Sequence, residues 1–266
     1  MPVVRFSDLG IESRLIGCLA DQGITEPFEV QIEAIPSAME GRDICCRAPT
    51  GSGKTLAFGL PLISRTGPAK PKKPTALILT PTRELAEQIR NVLDPLAWDS
   101  GMKVLSVYGG TSYGKQLRGL EKGAEILVAC PGRLLDLLKR KALSLEDVGI
   151  VVLDEADRMA DMGFMEPVCK IIDQCISEPQ MILFSATLDH EVSKLVKSYQ
   201  NDPVRIEVGP KEISMDSMEH FFWLMKNSMK PGIASEIIRK CGKTVVCLLY
   251  TSDAADERSS VDLGGR

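Results

Sequence analysis

The sequence predicts an α/β fold in which a mostly parallel sheet is covered by helices on both faces. Two observations support this class. Short apolar runs alternate with longer amphipathic runs along residues 43–208, which is typical of parallel strands joined by helices. A glycine-rich segment also separates the first apolar run from the helical run that follows it. With 266 residues, 44% of them apolar, the chain can bury the core of one large domain or of two smaller ones.

Hydrophobic periodicity places the individual elements. The predicted strands cover residues 43–47, 76–79, 104–107, 126–129, 150–153, 181–184 and 204–208. A first predicted helix carries residues 15–20, a second ends near Gly41, and the later ones cover residues 56–64, 83–96, 113–120, 133–138, 165–175 and 192–199. Ligands in such sheets bind at the carboxyl ends of the strands, so we expect functional motifs to gather along one edge.

Composition excludes several classes of function. A formal net charge of −4 argues against a broad basic surface, so a nucleic-acid partner must use a local groove. The eight cysteines and two histidines lack the spacing of a zinc site, and buried thiols in a reducing compartment are favoured over zinc or disulfides. No apolar run reaches membrane-spanning length, so we expect a cytoplasmic protein without a membrane partner.

The glycine-rich segment has the pattern of a phosphate-binding loop. It reads Ala48, Pro49, Thr50, Gly51, Ser52, Gly53, Lys54 and Thr55. Gly51 and Gly53 allow successive backbone N–H groups to point into one concavity, where the helix dipole also favours a polyphosphate. Lys54 is predicted to reach the terminal phosphates and Thr55 to place its hydroxyl on Mg²⁺. The alternative is a glycine-rich turn that binds no ligand.

Two further motifs follow predicted strands. Asp154 and Glu155 come directly after the strand at 150–153. Asp154 is predicted to hold Mg²⁺ partly through water, and Glu155 to orient and activate the attacking water. The alternative is that the positive end of a helix dipole favours acidic residues here. That effect explains at most one of the two charges. After the next strand, Ser185 and Thr187 place two hydroxyls near the acidic motif, although by themselves they suit a helix cap equally well.

Residues near the amino terminus carry a weaker signal. The Gln31 amide has a donor and an acceptor that suit an adenine edge, and Phe6 has an aromatic face for stacking. Considered alone, these residues are better explained as a surface glutamine and a core phenylalanine.

The motifs also occur in a characteristic order. They are Gln31 and residues 48–55, 81–86, 109–110, 131–133, 154–157 and 185–187. This ordered set resembles the first half of a DEAD-box RNA helicase of bacterial type. The resemblance implies a RecA-like P-loop NTPase fold, ATP and Mg²⁺ as cofactors, and RNA duplexes as substrates.

The resemblance assigns roles to individual residues. It implies that Phe6 stacks on the adenine of ATP and that Gln31 reads the base. It implies that the RNA sugar-phosphate backbone, with little sequence preference, is held by Pro81, Thr82, Arg83, Gly110 and Arg133. It also implies that Ser185 and Thr187, together with Asp157 of the acidic motif, couple ATP hydrolysis to strand separation.

Three positions depart from the family pattern, and one departs from the general pattern of phosphate-binding loops. Ala48 stands where the general pattern begins with glycine, and Pro49 replaces the glutamine that is usual in the family. We expect little effect from either. Ile24 replaces the usual aromatic residue after Gly23, and Cys130 replaces a threonine whose hydroxyl could bond an RNA phosphate. These two changes are expected to reduce affinity without altering the chemistry.

The resemblance also predicts how the chain is organised. We expect a Q-motif region at 1–32, a helicase ATP-binding domain at 33–209, the start of a truncated second RecA-like domain at 210–246, and a non-native tail at 247–266. The start of the second domain is predicted to form a strand at 220–225, a helix at 231–239 and a strand at 243–246. The tail looks like translated sequencing adapter, and a disordered native tail is the alternative. Since the second domain of the family supplies arginines to the ATPase site, we expect weak nucleotide binding and little or no unwinding by this chain.

The function implied by the resemblance is ATP binding and hydrolysis coupled to local RNA unwinding. Two alternatives stay open at this point. One is an RNA-binding clamp that uses ATP only as a conformational lock, and the other is a DNA translocase with the same core. By analogy with the family, we expect a monomer that acts with ribosome-assembly or RNA-decay proteins.

Overall fold

The computed structural model describes residues 4–176, 178–209 and 226–241. The chain divides into two compact units, Met1–Glu212 and Ile213–Arg266. The strands predicted at 220–225 and 243–246 and the tail predicted at 247–266 lie outside the described residues.

The first unit is built on one seven-stranded sheet. Its strands are β1 (Ile44–Arg47), β2 (Ala76–Leu79), β3 (Val104–Val107), β4 (Ile126–Ala129), β5 (Ile150–Leu153), β6 (Gln180–Ser185) and β7 (Val204–Glu207). Every pair of neighbours is parallel, and the strand order is β3-β4-β2-β5-β6-β1-β7. The predicted parallel α/β class is confirmed.

Side chains of the central strands are buried on both faces of the sheet. In β2, Ile78 belongs to one hydrophobic core and Leu77 to the core on the other face. In β5, Val152 belongs to the first of these cores and Val151 to the second. Because successive residues of a strand point to opposite faces, a continuous apolar run is the pattern that a sheet covered on both faces requires.

In the described part of the first unit, nine helices connect and cover the strands. They are α1 (Ser13–Asp21), α2 (Glu29–Met39), α3 (Lys54–Arg65), α4 (Arg83–Asp99), α5 (Tyr113–Lys122), α6 (Pro131–Lys139), α7 (Ala156–Asp161), α8 (Met165–Ile172) and α9 (His190–Tyr199). A short 3₁₀ turn, Phe6–Leu9, precedes them and packs against α1 and α2.

Most differences from the sequence prediction are at element ends. The helix α7 was not predicted, because its six residues are too few to show a clear period. The helix α8 ends at Ile172 instead of 175, where the N–H groups of Gln174 and Cys175 bond carbonyls three residues back and tighten the chain into a turn. The strand β6 continues through Ser185, one residue beyond the prediction.

In the second unit, the structure describes residues 226–241. They form a 3₁₀ turn, Asn227–Met229, and the helix α10, Lys230–Cys241. This helix includes the one predicted at 231–239. Across the described part of the chain, no helix combines the length and apolar character needed to cross a membrane.

Candidate functional site

The strand order brings three of the predicted motifs to one edge of the sheet. The strand β6 lies between β5 and β1, with Leu183 in register with Leu153 and Ser185 in register with Arg47. All three strands run in the same direction, so the segments 48–55, 154–157 and 185–187 leave the sheet at one edge. We call these segments the β5-β6-β1 edge.

The loop after β1 has the backbone of a phosphate cradle. Gly51 and Gly53 both have positive φ, at 84° and 89°, a conformation that glycine adopts without strain. The Ser52 hydroxyl donates to the Pro49 carbonyl at 2.9 Å, and the Ala48 N–H donates to the Ser185 carbonyl at 3.0 Å. The loop is therefore braced internally and tied to β6.

The end of this loop is crowded by residues at the start of α2. A Cβ atom added to Gly53 would lie 2.6 Å from both Gln31 Nε2 and Phe28 Cδ2. The Gln31 amide donates to the Gly53 carbonyl at 2.9 Å, and its Oε1 accepts from the Phe28 N–H at 3.0 Å. Gln31 thus links the loop to the start of α2.

Lys54 and Asp154 bring opposite charges into the interior of this edge. Both side chains are buried, and the Lys54 ammonium donates to the Ala48 carbonyl at 3.4 Å. Burial raises the pKa of the Asp154 carboxyl to about 6, while Lys54 lowers it and the Glu155 carboxylate raises it. A buried carboxylate beside a buried ammonium has the chemistry to bind a metal-bound polyphosphate.

Glu155 has an unusual backbone conformation. Its φ is 54°, in the left-handed region that residues other than glycine seldom adopt. The carboxylate is ion-paired with Arg158 at 3.2 Å, and the Glu155 N–H donates to Asp154 Oδ1 at 3.1 Å. The two acidic residues are therefore held in a fixed relation at the start of α7.

Asp157 joins the acidic motif to the segment after β6. Its Oδ2 accepts from the Thr187 N–H at 2.9 Å, the Thr187 hydroxyl at 3.2 Å and the Ala186 N–H at 3.2 Å. The Asp157 N–H in turn donates to the Ser185 hydroxyl at 3.0 Å. Both hydroxyl residues thus bond the acidic motif, while the following helix α9 is capped by Asp189.

The remaining predicted residues lie at the carboxyl ends of β2, β4 and β3, which are also neighbours. We call the segments 81–83, 109–111 and 130–133 the β3-β4-β2 edge. Thr82 caps α4, with its hydroxyl accepting from the Leu85 N–H at 3.3 Å, and Pro81 is buried beside it. Arg83 is exposed, and its Nη1 lies 3.7 Å from the Cβ position of Gly110.

Arg133 is held more tightly than Arg83. Its guanidinium donates to Gln116 Oε1 at 3.1 Å and to the Thr111 carbonyl at 3.0 Å, and it lies 4.1 Å from the centroid of the Tyr113 ring. These contacts use part of the hydrogen-bonding capacity of the guanidinium, which has five N–H donors. The half-buried side chain thus keeps further donors at the β3-β4-β2 edge.

A family model for DEAD/DEAH box helicases matches residues 28–195, which contain nearly all of both edges. The chain belongs to this helicase family. The predicted resemblance is confirmed.

The relatives of this helicase chain are themselves helicases. It is 44% identical over 203 residues to the RNA helicase CrhR of Synechocystis, covering 76% of this chain and 41% of that protein. It is 39% identical to the DEAD-box ATP-dependent RNA helicase CshA of Streptococcus pneumoniae, covering 85% and 43%. The chain therefore spans less than half the length of these curated relatives.

Solved structures of helicases share the fold. The RNA-helicase Prp28 from Chaetomium thermophilum, bound to ADP, matches with a TM-score of 0.73 and 36% identity, over 91% of this chain and 58% of that one. A hypothetical ATP-dependent RNA helicase from Sulfolobus tokodaii matches with a TM-score of 0.69 and 35% identity, over 74% and 57%. These neighbours support the RecA-like fold predicted for this helicase domain.

Burial bears on the predictions made for two residues, Phe6 and Cys130. Phe6 is only 2% exposed and packs within the hydrophobic core, so it has no open face for a base. Its predicted role in nucleotide binding stays a prediction that this burial does not favour. Burial raises the pKa of the Cys130 thiol to about 11, so at neutral pH this residue is a weak neutral donor at the start of α6.

Sequence reasoning missed Gln116, a buried side chain at the β3-β4-β2 edge of the helicase domain. Besides accepting from Arg133, it donates to the Tyr108 carbonyl at 3.1 Å and to the Thr111 hydroxyl at 2.7 Å. A signal was present in the sequence. Gln116 falls on the apolar stripe of α5 with Tyr113, Leu117 and Leu120, where a polar residue needs partners.

Proposed function

We propose that this chain binds ATP with Mg²⁺ and hydrolyses it, and that this cycle is coupled to local separation of RNA strands. The observation that carries the proposal is the joint burial of Lys54 and Asp154 beside a braced glycine loop. Burial of two opposite charges away from water costs free energy. Binding of a metal-bound triphosphate would supply each charge with a partner, which gives this burial a function.

The loop 48–55 is proposed to hold the triphosphate. Backbone N–H groups at the start of α3 face the phosphates, Lys54 contacts the terminal ones, and Gln31 contributes to the base site. The Thr55 hydroxyl and the Asp154 carboxylate fit Mg²⁺, which prefers oxygen ligands and keeps much of its water shell. Bound Mg²⁺ would neutralise charge on the phosphates.

Glu155 is proposed to orient and activate the attacking water. It follows Asp154 directly, and its carboxylate is ion-paired with Arg158. A carboxylate held in this way can accept a proton from a water in line with the terminal phosphate. The backbone of Glu155 is left-handed, a strained conformation of the kind that is often found at functional sites.

The β3-β4-β2 edge is proposed to bind the RNA sugar-phosphate backbone through Arg83, Gly110 and Arg133, together with Pro81 and Thr82 at the start of α4. Two guanidinium groups with free donors suit phosphate oxygens. Contacts of this kind give little sequence preference, and they need only a local positive surface on a chain with net charge −4.

The bonds of Asp157 with Ser185, Ala186 and Thr187 are proposed to couple the two activities. A change in position of the acidic motif on ATP hydrolysis would displace the segment 185–187, because four hydrogen bonds connect them. RNA strand separation would then follow the nucleotide state. Action in the cytoplasm, as a monomer with ribosome-assembly or RNA-decay proteins, stays a prediction.

The test compares Glu155→Gln with wild type in the 266-residue chain. We expect Glu155→Gln to bind MgATP as wild type does but to lower single-turnover hydrolysis at least about a hundredfold, because the general base is lost. Binding is measured by calorimetry, and hydrolysis with and without an RNA strand over long incubations, since the rate of this chain is expected to be low. Lys54→Ala is the control that should lose binding itself.

Two outcomes would contradict the proposal. If Glu155→Gln hydrolyses ATP at the wild-type rate, the catalytic assignment is wrong. If wild type binds ATP and RNA but no turnover is found under any condition, the ATP-gated clamp is the better description. Stimulation by a DNA strand equal to that by RNA of the same sequence would favour a DNA translocase, since 2′-hydroxyl contacts distinguish the two.

A further inference from the structure

Phe28 is an exposed aromatic residue that the function described above does not use. It immediately precedes α2, and 61% of its surface is open to solvent. A single exposed apolar side chain is ordinary by itself, so its meaning depends on what lies beside it. The phenylalanine backbone is fixed, because its N–H donates to Gln31 Oε1 at 3.0 Å.

The ring lies against the end of the phosphate loop. Phe28 Cδ2 and Gln31 Nε2 both lie 2.6 Å from the point where a Cβ of Gly53 would be. An exposed ring, an amide and the last loop residue before α3 therefore meet at one place. Gln31 is itself only 2% exposed, whereas the ring beside it is open to solvent, so a base meets the Phe28 ring before it reaches the Gln31 amide.

No competing aromatic side chain is found at this place among the residues that the structure describes. Phe6 is buried in the core, and Ile24 is a partly buried aliphatic residue. The largest other exposed aromatic side chain, Trp98, is 75% exposed but lies near the end of α4, away from the phosphate loop.

We propose that Phe28 is the stacking surface for the base of the bound nucleoside triphosphate. The inference rests on the proposed function of the loop and adds the residue that supplies affinity for the base. The ring contributes a flat apolar face, which any base can use. Gln31 contributes one unused amide hydrogen and one acceptor lone pair, which together match the edge of adenine.

This arrangement separates affinity from selectivity. Stacking depends on the π-face of the base and tolerates either purine, whereas hydrogen bonds to the base edge discriminate between them. Loss of the Phe28 ring should therefore weaken ATP and GTP binding by similar factors. Loss of the Gln31 amide should instead reduce the difference between the two nucleotides.

The test uses calorimetry on the full 266-residue chain with MgATP, MgGTP and inorganic tripolyphosphate. We expect Phe28→Ala to weaken binding of both nucleotides about tenfold and to leave tripolyphosphate binding unchanged, because tripolyphosphate has no base to stack. Phe28→Trp should retain nucleotide affinity. Trp98→Ala, which removes another exposed aromatic side chain, is the matched control and should change nothing. Thermal unfolding of each variant checks that the fold is intact.

A spectroscopic readout tests contact directly. The indole of Phe28→Trp should be quenched on addition of ATP but not of tripolyphosphate, measured against the background of wild type. Wild-type ATP affinity in Phe28→Ala would overturn the proposal for Phe28 alone. Equal losses for ATP and tripolyphosphate would overturn it too, since Phe28 would then act on the shape of the loop. If wild type bound neither ligand, the proposed function would fail, and this inference with it.

Discussion

The β5-β6-β1 edge and the β3-β4-β2 edge belong to one sheet but hold their charged groups in different ways. On the first, Lys54 and Asp154 are buried and braced by backbone groups. On the second, Arg83 is exposed and Arg133 is half-buried, supported by a glutamine and a carbonyl. Different strands of one sheet therefore support one set of buried charges and one set of more exposed charges at their carboxyl ends.

The difference follows from the ligands proposed for each edge. A triphosphate that reacts needs fixed groups in a site of low dielectric, where charge interactions are strong. A nucleic-acid strand that is bound and released needs exposed cations, whose interactions are weaker and screened by salt. The three predictions below test whether the two edges really differ in this way.

The largest effect is expected from Asp154→Asn on the stability of the ligand-free protein. The folded-state pKa of about 6 lies above the ordinary value of 3.8, because burial disfavours the charged form. The folded state thus binds more protons between these values, and stability falls as the pH rises through this window. We expect Asp154→Asn to raise the free energy of unfolding at pH 7.5 by up to about 3 kcal/mol. Chemical denaturation measures the difference.

The pH dependence provides an internal control. At pH 5 the advantage of Asp154→Asn should shrink to about half, since the wild-type carboxyl is then largely protonated. Asp157→Asn is the matched variant from the same motif and should destabilise instead, because it weakens the bonds to Ala186 and Thr187. An Asp154→Asn protein that is less stable than wild type at pH 7.5 would show that the carboxylate is not strained by burial.

A smaller effect is expected from Gln116→Leu at the β3-β4-β2 edge. The substitution keeps the volume but leaves the Tyr108 carbonyl and the Arg133 guanidinium without this partner. We expect a loss of about 1–2 kcal/mol in unfolding free energy and severalfold weaker RNA binding, with MgATP affinity unchanged. Calorimetric unfolding and RNA titration measure these changes.

A double-mutant cycle shows how Gln116 acts. If it only positions Arg133, Gln116→Leu should have no further effect on RNA affinity once Arg133→Ala is present. Additive losses would mean instead that Gln116 contacts RNA or shapes the turn at 109–111 by itself. A parallel loss of MgATP affinity would contradict the independence of the two edges.

The smallest effect concerns salt. Arg83→Ala and Arg133→Ala should each lower the slope of log RNA affinity against log salt concentration by about one, because each removes one phosphate contact. Arg14→Ala is the control, since Arg14 is also exposed and ion-paired, with Asp99, but lies on α1. RNA titrations at several salt concentrations give the slopes. Equal slopes for all four proteins would mean that these arginines do not contact the RNA backbone.

Much of the fold could be predicted because burial leaves a local pattern. The strands β2, β3, β4 and β5 have their predicted bounds, since each is a short apolar run bordered by polar or turn residues. The glycine-rich loop at 48–55 was recognised for a similar reason, because its glycines and lysine lie within eight consecutive residues. The short helix α7 shows the limit of such patterns, since it is held by bonds from Asp157 to residues almost thirty positions away.

The aromatic residues show the same limit within the site. Nothing in the local sequence distinguishes Phe6 from Phe28, yet the first is buried and the second is exposed beside Gly53. Likewise, Gln116 lies on the apolar stripe of α5, but its partners come from the segment 108–111 and from α6.

By itself, the sequence determined the α/β class, the position of most strands, the phosphate loop, the acidic motif and the resemblance to the helicase family. Only the tertiary structure decided that β6 lies between β1 and β5, that Asp157 bonds the segment after β6, and which phenylalanine faces solvent. The physical reason is that periodicity and composition reflect which side chains of each segment are buried and which are exposed to water. The pairing of segments distant in the chain depends instead on strand order and packing, which no short stretch of sequence contains.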